Sequence, residues 1–371
     1  MSRTLPRLDR VEALHVRVPF RQPFVTATGV FTHTSSWILR LRDIDGNEGF
    51  GEIALDPAAS PADESAIGRL VYESVAVLGA GGLPGEDAIA KLGALGRALC
   101  AGIDEALEQL EALGGAAAGA TADPAAGRSS VAVNATVHVS DAKEAAETAA
   151  QAVEAGFSCL KLKVGAETQN DLVERVLAVR AAVGSSVCLR LDVNAGWDLS
   201  TAVQRLNALA ALDIEYVEQP LAPADVDGHA TLRRASPVPI ALDESVESES
   251  AVARILAAGA ADVLVIKPAR VGGPSAVRAI AARSADAGVP VVISTFFETG
   301  IGLYAALRAA AALSLVGGEL AHGLATADIL VHDLLATPIT VAGGRIAVPN
   351  WLAPDEQAIE HFTVEKVGPI P

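Results

Sequence analysis

The chain has 371 residues, with 28 Lys or Arg against 45 Asp or Glu, for a formal charge of −17. Phosphate backbones demand a basic surface, so this balance excludes nucleic acid as a partner and disfavours anionic membranes. Hydrophobic residues make up 51% of the chain, which argues against general disorder; the length fits two or three domains, or one barrel with an addition.

The opening segment Met1–Arg10 lacks the apolar core of a secretory signal, and no run approaches the roughly 18–20 apolar residues that span a bilayer. A soluble cytoplasmic protein is expected. The cysteines Cys100, Cys159 and Cys188 are odd in number and far apart, so neither a disulfide framework nor a Cys-type zinc site follows.

Val11–Val18 and Ser36–Arg42 read as strands, with a hairpin turn at Asp45-Gly46 before Gly49-Phe50-Gly51-Glu52. Between the two strands, Pro19–His33 reads as a long polar and aromatic loop, the kind that forms lids and binding loops. Residues 63–113 look helical, with breaks at Gly79–Gly85. The Ala- and Gly-rich stretch Gly114–Ser130 then reads as a connector and domain boundary.

From Val131 onward, short β-branched runs alternate with helical segments. The strand candidates are Val131–Val137, Cys159–Val164, Val187–Val193, Ile214–Glu218, Ile240–Asp243, Val263–Lys267, Val291–Thr295 and a weak one near Glu319–His322. Between two of them, Leu172, Val176, Val179 and Val183 fall on one helical face. Eight such strands indicate a parallel βα array, and a barrel suits them better than an open sheet. A doubly wound nucleotide fold is the alternative, but no Gly-x-Gly-x-x-Gly follows the first strand and no Walker A motif occurs.

The anomaly lies where charges meet these apolar runs. Lys161 and Lys163 alternate with apolar residues and point to one face; Asp192, Glu218, Asp243 and Lys267 end the next four candidates. In a βα barrel those ends converge on one mouth, the face where such enzymes do chemistry. One buried Lys–Asp pair is usually structural. A stability-only account must explain why costly buried ions recur at five successive strand ends. Three carboxylates from adjacent strands suit a hard cation, with Mg²⁺ the natural choice and Mn²⁺ not distinguished from it. Zinc is disfavoured, because no His or Cys joins the set.

A carboxylate substrate on such an ion has its α-proton acidified, since the enediolate concentrates charge on oxygens beside the metal. A Lys that takes this proton must be neutral, which requires its pKa to fall by roughly 2–3 units from about 10.4. Lys161 and the metal would both push Lys163 that way.

The order Lys161-x-Lys163, Asp192, Glu218-Gln219-Pro220, Asp243-Glu244-Ser245, and Lys267 through Arg270-Val-Gly272-Gly273, with Glu298-Thr-Gly300-Ile-Gly302, resembles the enolase superfamily, muconate-lactonizing subgroup. The resemblance covers essentially the whole chain. It implies an α/β protein: a modified TIM barrel, (β/α)7β, with an α+β capping domain. Residues 1–128 would form the cap, with specificity loops at 19–33 and 55–61; residues 129–340 the barrel; and 341–371 a segment returning to the cap. It further implies that Asp192, Glu218 and Asp243 hold Mg²⁺ (or Mn²⁺), that Lys163 is the acid/base on one face, and that Lys267 stands on the other. Lys161 would tune Lys163 and contact the carboxylate. Asn194 and Glu244 would orient the ligands from behind; Glu298 would support the mouth or cap the helix after Thr299. Phe20, Phe24 and Phe31 would belong to the mobile specificity loop.

Several reactions are open to the subgroup. Val131–Thr136, Ala321–Thr326 and Val348-Pro349 are similar to the o-succinylbenzoate synthases of menaquinone synthesis, which implies dehydration of a cyclohexadiene carboxylate by syn elimination. Racemisation or epimerisation of an N-acylamino acid or dipeptide is the second reading, towards which Glu298-Thr-Gly-Ile-Gly leans. Dipeptide epimerases usually carry an Asp-x-Asp near the eighth strand, and Glu319-Leu-Ala-His322 offers none. Muconate cycloisomerisation is third, and a catalytically silent binding barrel a fourth. The expected partner is a small-molecule carboxylate, with no nucleic acid or membrane. A homo-oligomer is expected, its size not set by the pattern.

Overall fold

A computed structural model of the chain describes residues 5–26, 29–57, 59–85, 89–117 and 128–370. The N-terminal part is an antiparallel sheet of β1 (Leu8–Thr26), β2 (Gly29–Asp43) and β3 (Glu48–Ala54). The final strand, β14 (Thr363–Ile370), joins it in the order β14-β1-β2-β3. Alternation gives this sheet two apolar faces. Trp37, Leu39 and Leu41 pack with Ile67, Val71, Leu99 and Leu107 of two helices, α1 (Pro61–Gly79) and α2 (Ala94–Ala117). Leu14, Val16, Val18, Phe20 and Ile38 point the other way, into the core shared with the barrel.

That second face corrects the reading of Pro19–His33 as a loop. The segment continues both strands of the hairpin, with Pro19 opposite His33 and Phe24 opposite Phe31; residues 27–28 lie outside the described residues. The strand persists because Phe20 extends the Val16–Val18 series and forms a bridge with Leu330, while Pro19 O accepts the Val331 amide at 2.9 Å. Two smaller differences follow. Gly114 lies inside α2, and the core of the expected connector, 118–127, falls outside the described residues. The single strand expected over Val131–Val137 is split into β4 (Ser130–Ala132) and β5 (Ala135–Val137). β4 pairs with a small hairpin, β12 (Val341–Ala342) and β13 (Arg345–Ala347), and β14 alone of the C-terminal strands joins the cap sheet.

The rest is a parallel sheet in the order β11-β10-β9-β8-β7-β6-β5, comprising β6 (Cys159–Lys163), β7 (Cys188–Asp192), β8 (Ile214–Glu218), β9 (Ile240–Leu242), β10 (Val263–Ile266) and β11 (Val291–Ile293). The fold is α/β, a modified TIM barrel of the (β/α)7β kind with an added antiparallel cap. Its helices cover the outside; in α4 (Gln169–Val183, after α3, Ala142–Glu154), Leu172, Val176 and Val179 are fully buried as their spacing predicts. No regular strand forms near Glu319–His322. The ring is closed there by bridges from Val133 to His322 and from Ser294 to Gly323, because His322 Nδ1 itself accepts the Ile293 amide at 3.0 Å.

Helix α2 approaches the cap sheet so closely that only glycines fit. A Cβ on Gly51 would lie 1.8 Å from Gly102 O, whereas one on Gly114 of the same helix meets nothing within 4 Å. Gly51→Ala should therefore cost about 1–3 kcal/mol or more in urea unfolding. Gly114→Ala should instead be neutral or stabilise by up to about 1 kcal/mol.

Candidate active site

The five charged strand ends do meet. Register places Lys163, Asp192 and Glu218 side by side on β6, β7 and β8, while Asp243 and Lys267 immediately follow β9 and β10. Lys161 Nζ lies 3.0 Å from Asp192 Oδ2 and 3.1 Å from Glu218 Oε1. Lys163 Nζ lies 2.7 Å from the same Asp192 oxygen and donates to Asn194 Oδ1 at 2.8 Å. Across the ring, Lys267 Nζ and Arg270 Nη1 each sit 2.5 Å from one oxygen of Asp243. β6 and β10 are four places apart in the sheet order, half of an eight-membered ring, so Lys163 and Lys267 face each other across the mouth.

Burial sets the protonation of these groups. Burial works against the Lys161 ammonium, but Asp192 and Glu218 outweigh it and hold the Lys161 pKa well above its ordinary value. Burial likewise opposes the Asp192 charge, yet Lys161 and Lys163 keep Asp192 far below the usual carboxylate range. Asp243 is lowered to about 2, since Arg270 and Lys267 overcome its burial. Glu218 goes the other way, up to about 7, through burial and repulsion from Asp192.

The strand ends are stitched by residues to which the sequence alone assigned no role. Gln219, fully buried, accepts the amides of Asp243 (3.0 Å) and Ser245 (3.1 Å) with Oε1 and donates to Ser245 Oγ (2.8 Å) with Nε2. Gln219 has φ +41° and Asn194 +47°, left-handed backbone that non-glycine residues rarely adopt, and both lie within two residues of a mouth carboxylate. Asn194 also donates to Glu244 Oε1 at 3.0 Å, so these two side chains, which follow Asp192 and Asp243, are linked to each other. Arg270 was visible only as part of a motif. A polar side chain at the end of an apolar run was the available signal for Gln219.

Glu298 does not cap the helix α10 (Gly300–Ala312), which follows α5 (Leu199–Ala208), α6 (Val226–Ala235), α7 (Glu249–Ala258), α8 (Pro268–Val271) and α9 (Pro274–Asp286). Its Oε2 accepts the amides of Phe296 (2.6 Å) and Phe297 (3.0 Å). The helix donors go elsewhere: Thr299 N and Oγ1 and Gly302 N to Glu52 of the cap, and Gly300 N to Asp333. Gly302 is required because a Cβ there would lie 2.8 Å from the Glu298 Cβ. Glu52 amide in turn donates to Glu105 Oε2 of α2 at 2.9 Å. These buried acids repel one another: burial, then Glu52, pushes Glu298 up to about 7, and burial holds Glu105 well above its ordinary value. Glu52 was legible only as an acid within the apolar strand Gly49–Ile53.

Of the aromatic trio, Phe20 is buried edge-on against Phe297 with ring centroids 5.8 Å apart, and Phe31 packs half-buried on the main core. For Phe24 the backbone pairing with Phe31 is described and the side chain lies outside the described residues. The 55–61 segment, apart from residue 58, is irregular up to Ser60, which caps α1, and it brings Asp56 within 3.6 Å of Arg270.

Among the described residues, no three Asp, Glu, His or Cys side chains converge closely enough to hold a metal ion as they stand; the mouth carboxylates turn to ammonium and guanidinium groups. The donor chemistry nevertheless fits a hard divalent cation. All three acids offer oxygen, Glu218 is raised by burial and by repulsion from Asp192, and Glu244 Oε2 is buried without a partner.

Comparison with known proteins agrees with this geometry. Residues 144–354 match the family described as Enolase C-terminal domain-like. The chain is 40% identical over 227 residues to an o-succinylbenzoate synthase of Thermobifida fusca, covering 61% of this chain and 68% of that one. It is 38% identical over 233 residues to one of Mycobacterium ulcerans, covering 62% and 68%. The structure superposes on the muconate lactonizing enzyme of Pseudomonas fluorescens with TM-score 0.81 and 26% identity, covering 97% of this chain and 100% of that one. It also superposes on the L-Ala-D/L-Glu epimerase of Bacillus subtilis with TM-score 0.79 and 26% identity, covering 94% and 97%. The chain belongs to the enolase superfamily, in its muconate-lactonizing subgroup. It is an enzyme acting on a small molecule, a lyase or an isomerase of a superfamily that depends on divalent metals. No helix among the described residues is long and apolar enough to cross a membrane.

The buried Glu298 generates a stability prediction. Its folded pKa of about 7 exceeds the ordinary 4.5, so the folded state holds a proton that the unfolded chain releases. That contribution is present below pH 4.5 and is lost as pH rises through 7, about 3 kcal/mol in all. Glu298→Gln should make the decline between pH 5 and 8 shallower by about that amount, measured by urea unfolding at each pH.

Proposed function

We propose that this chain is a cytoplasmic, Mg²⁺-dependent o-succinylbenzoate synthase of menaquinone biosynthesis, with Mn²⁺ able to substitute. The observation that carries the reading is the pair Lys163 and Lys267, facing each other over three acids, in a chain 40% identical to an o-succinylbenzoate synthase. Residues 1–128 would form the cap, with the hairpin segment 19–33 and the 55–61 segment lending specificity, residues 129–340 the barrel, and 341–371 the segment whose last strand returns to the cap.

Asp192, Glu218 and Asp243 would hold the ion, with Asn194 and Glu244 fixing them from behind. When bound, it supplies an electrophile that stabilises negative charge on the substrate carboxylate. Lys163, as the neutral amine, takes the α-proton, and the electron pair moves into the carboxylate. The pair then returns to form the ring double bond as the C–O bond breaks. The departing oxygen takes the proton from the Lys163 ammonium and leaves as water, which restores the neutral amine. Lys267, as the ammonium, faces the anion from the opposite side, and Lys161 keeps its charge against the carboxylate. Glu298 supports the mouth through the Phe296–Phe297 backbone.

A second reading, racemisation of an N-acylamino acid, uses Lys163 and Lys267 as two bases and is favoured by the same opposed placement. Incubation of N-succinyl amino acids in D₂O separates the two, since only racemisation yields the inverted, deuterated amino acid.

With Mg²⁺ and the cyclohexadiene carboxylate, ultraviolet absorbance should report the aromatic product, and the absence of turnover would overturn the reading. Lys163→Ala should lower kcat by at least about a thousandfold, within the range that general acid–base groups contribute. Chelation with EDTA should abolish turnover. Asp192→Asn and Glu218→Gln should each weaken Mn²⁺ binding, followed by calorimetry without substrate, by about tenfold or more.

A further inference from the structure

The layer of the mouth that holds Lys163 has a neighbour on its other side. β5 pairs with β6 in parallel register, Ala135 with Leu160, Thr136 with Lys161 and Val137 with Leu162. Side chains paired across parallel strands share a face, so Thr136 lies beside Lys161, and the next residue on that face, His138, comes level with Lys163. The same registers carry the layer onward to Asp192 and Glu218. Val137, Leu160 and Leu162 point the other way, into the main core, so Thr136 and His138 stand on the interior side with Lys161 and Lys163. Unlike Asp192 and Glu218, which are buried, His138 is exposed to solvent. The walls of the mouth and the two ammonium groups lower its pKa to about 4, so at neutral pH it is an uncharged ring with one N–H donor and one acceptor.

A syn elimination places the α-proton and the leaving hydroxyl on one face of the ring, which here is the Lys163 face. On one side of Lys163 stand acids, whose charge would oppose a departing hydroxide; on the other stands His138. We propose that His138 is a substrate-contacting residue of the elimination, donating an N–H hydrogen bond to the hydroxyl that leaves from the Lys163 face. The inference rests on the o-succinylbenzoate synthase reading. No proton passes through the imidazole: the α-proton goes to Lys163 and from Lys163 to the departing oxygen. The N–H···O bond strengthens as that oxygen gains charge, so His138 acts on C–O cleavage and not on proton abstraction.

The two steps can be read separately in D₂O. Wild-type, His138→Ala and His138→Asn enzymes are incubated with the cyclohexadiene carboxylate and Mg²⁺. Aromatic product is followed by absorbance, and deuterium in the recovered substrate by mass spectrometry. In His138→Ala, elimination should slow at least tenfold while exchange continues, raising the exchange-to-elimination ratio about tenfold; His138→Asn, which keeps a donor, should restore part of it. A ratio unchanged in His138→Ala, even with both rates lowered, would overturn the proposal alone. A wild-type enzyme with neither product nor exchange would overturn the reaction assignment and this proposal with it.

Discussion

Everything at the mouth depends on buried ion pairs in which neither sign can be removed alone. Lys161 sits between Asp192 and Glu218, and Asp243 between Lys267 and Arg270 of α8, above strands that pack apolar residues immediately below. An unpartnered ion in such surroundings costs several kcal/mol, whereas a satisfied set roughly breaks even. The arrangement is therefore tolerated rather than stabilising, and the strained backbone at Asn194 and Gln219 adds to its cost. Gln219 shows how the barrel holds it: a side chain at the end of β8 bonds three times to the segment that follows β9 and so fixes Glu218 beside Asp243.

The cap is tied to the mouth by the opposite device. Glu52 comes from the cap sheet, yet its carboxylate takes the first free donors of α10 in the barrel. A negative charge at a helix N-terminus is favourable, and here it doubles as the joint between the two layers. The same short stretch, Phe296 to Gly302, carries the rings that pack under the hairpin and the glycines that admit the acids. The hairpin of β1 and β2 thus reaches the mouth through Phe20 on Phe297, and the 55–61 segment reaches it through Asp56 on Arg270.

The parts of this structure that were legible in the sequence are those governed by periodicity. Strand β8 begins and ends where its apolar run does, and the buried stripe of α4 follows its spacing. The charges at strand ends stood out because they break that periodicity. What stayed hidden depends on contacts distant in sequence. Pro19–His33 looks like a loop until Leu330 and Val331 are brought against it, since Pro and polar residues tolerate an edge that something else covers. The split at Asn134 and the missing eighth strand arise from residues 322–323 bridging both edges of the sheet, a pairing across almost 190 residues. Glu52 meets Thr299 across 247 positions, and no local pattern announces such a bond.

The chain thus buries two trios of carboxylates a short distance apart and treats them differently. Asp192, Glu218 and Asp243 have Lys and Arg partners on the neighbouring strands, so two of them stay ionised and Glu218 alone is pushed up to about 7. Glu52, Glu105 and Glu298 have amides, hydroxyls and one another, so their pKa values all move upward. Amide dipoles can stabilise one negative charge at a helix end but not three together, and the cheaper answer for the remaining carboxyls is a proton. The first trio keeps its charge because ammonium and guanidinium groups neutralise it. The second ties the cap sheet to α10. Placement beside lysines, rather than the presence of three acids, is what keeps buried carboxylates charged in this barrel.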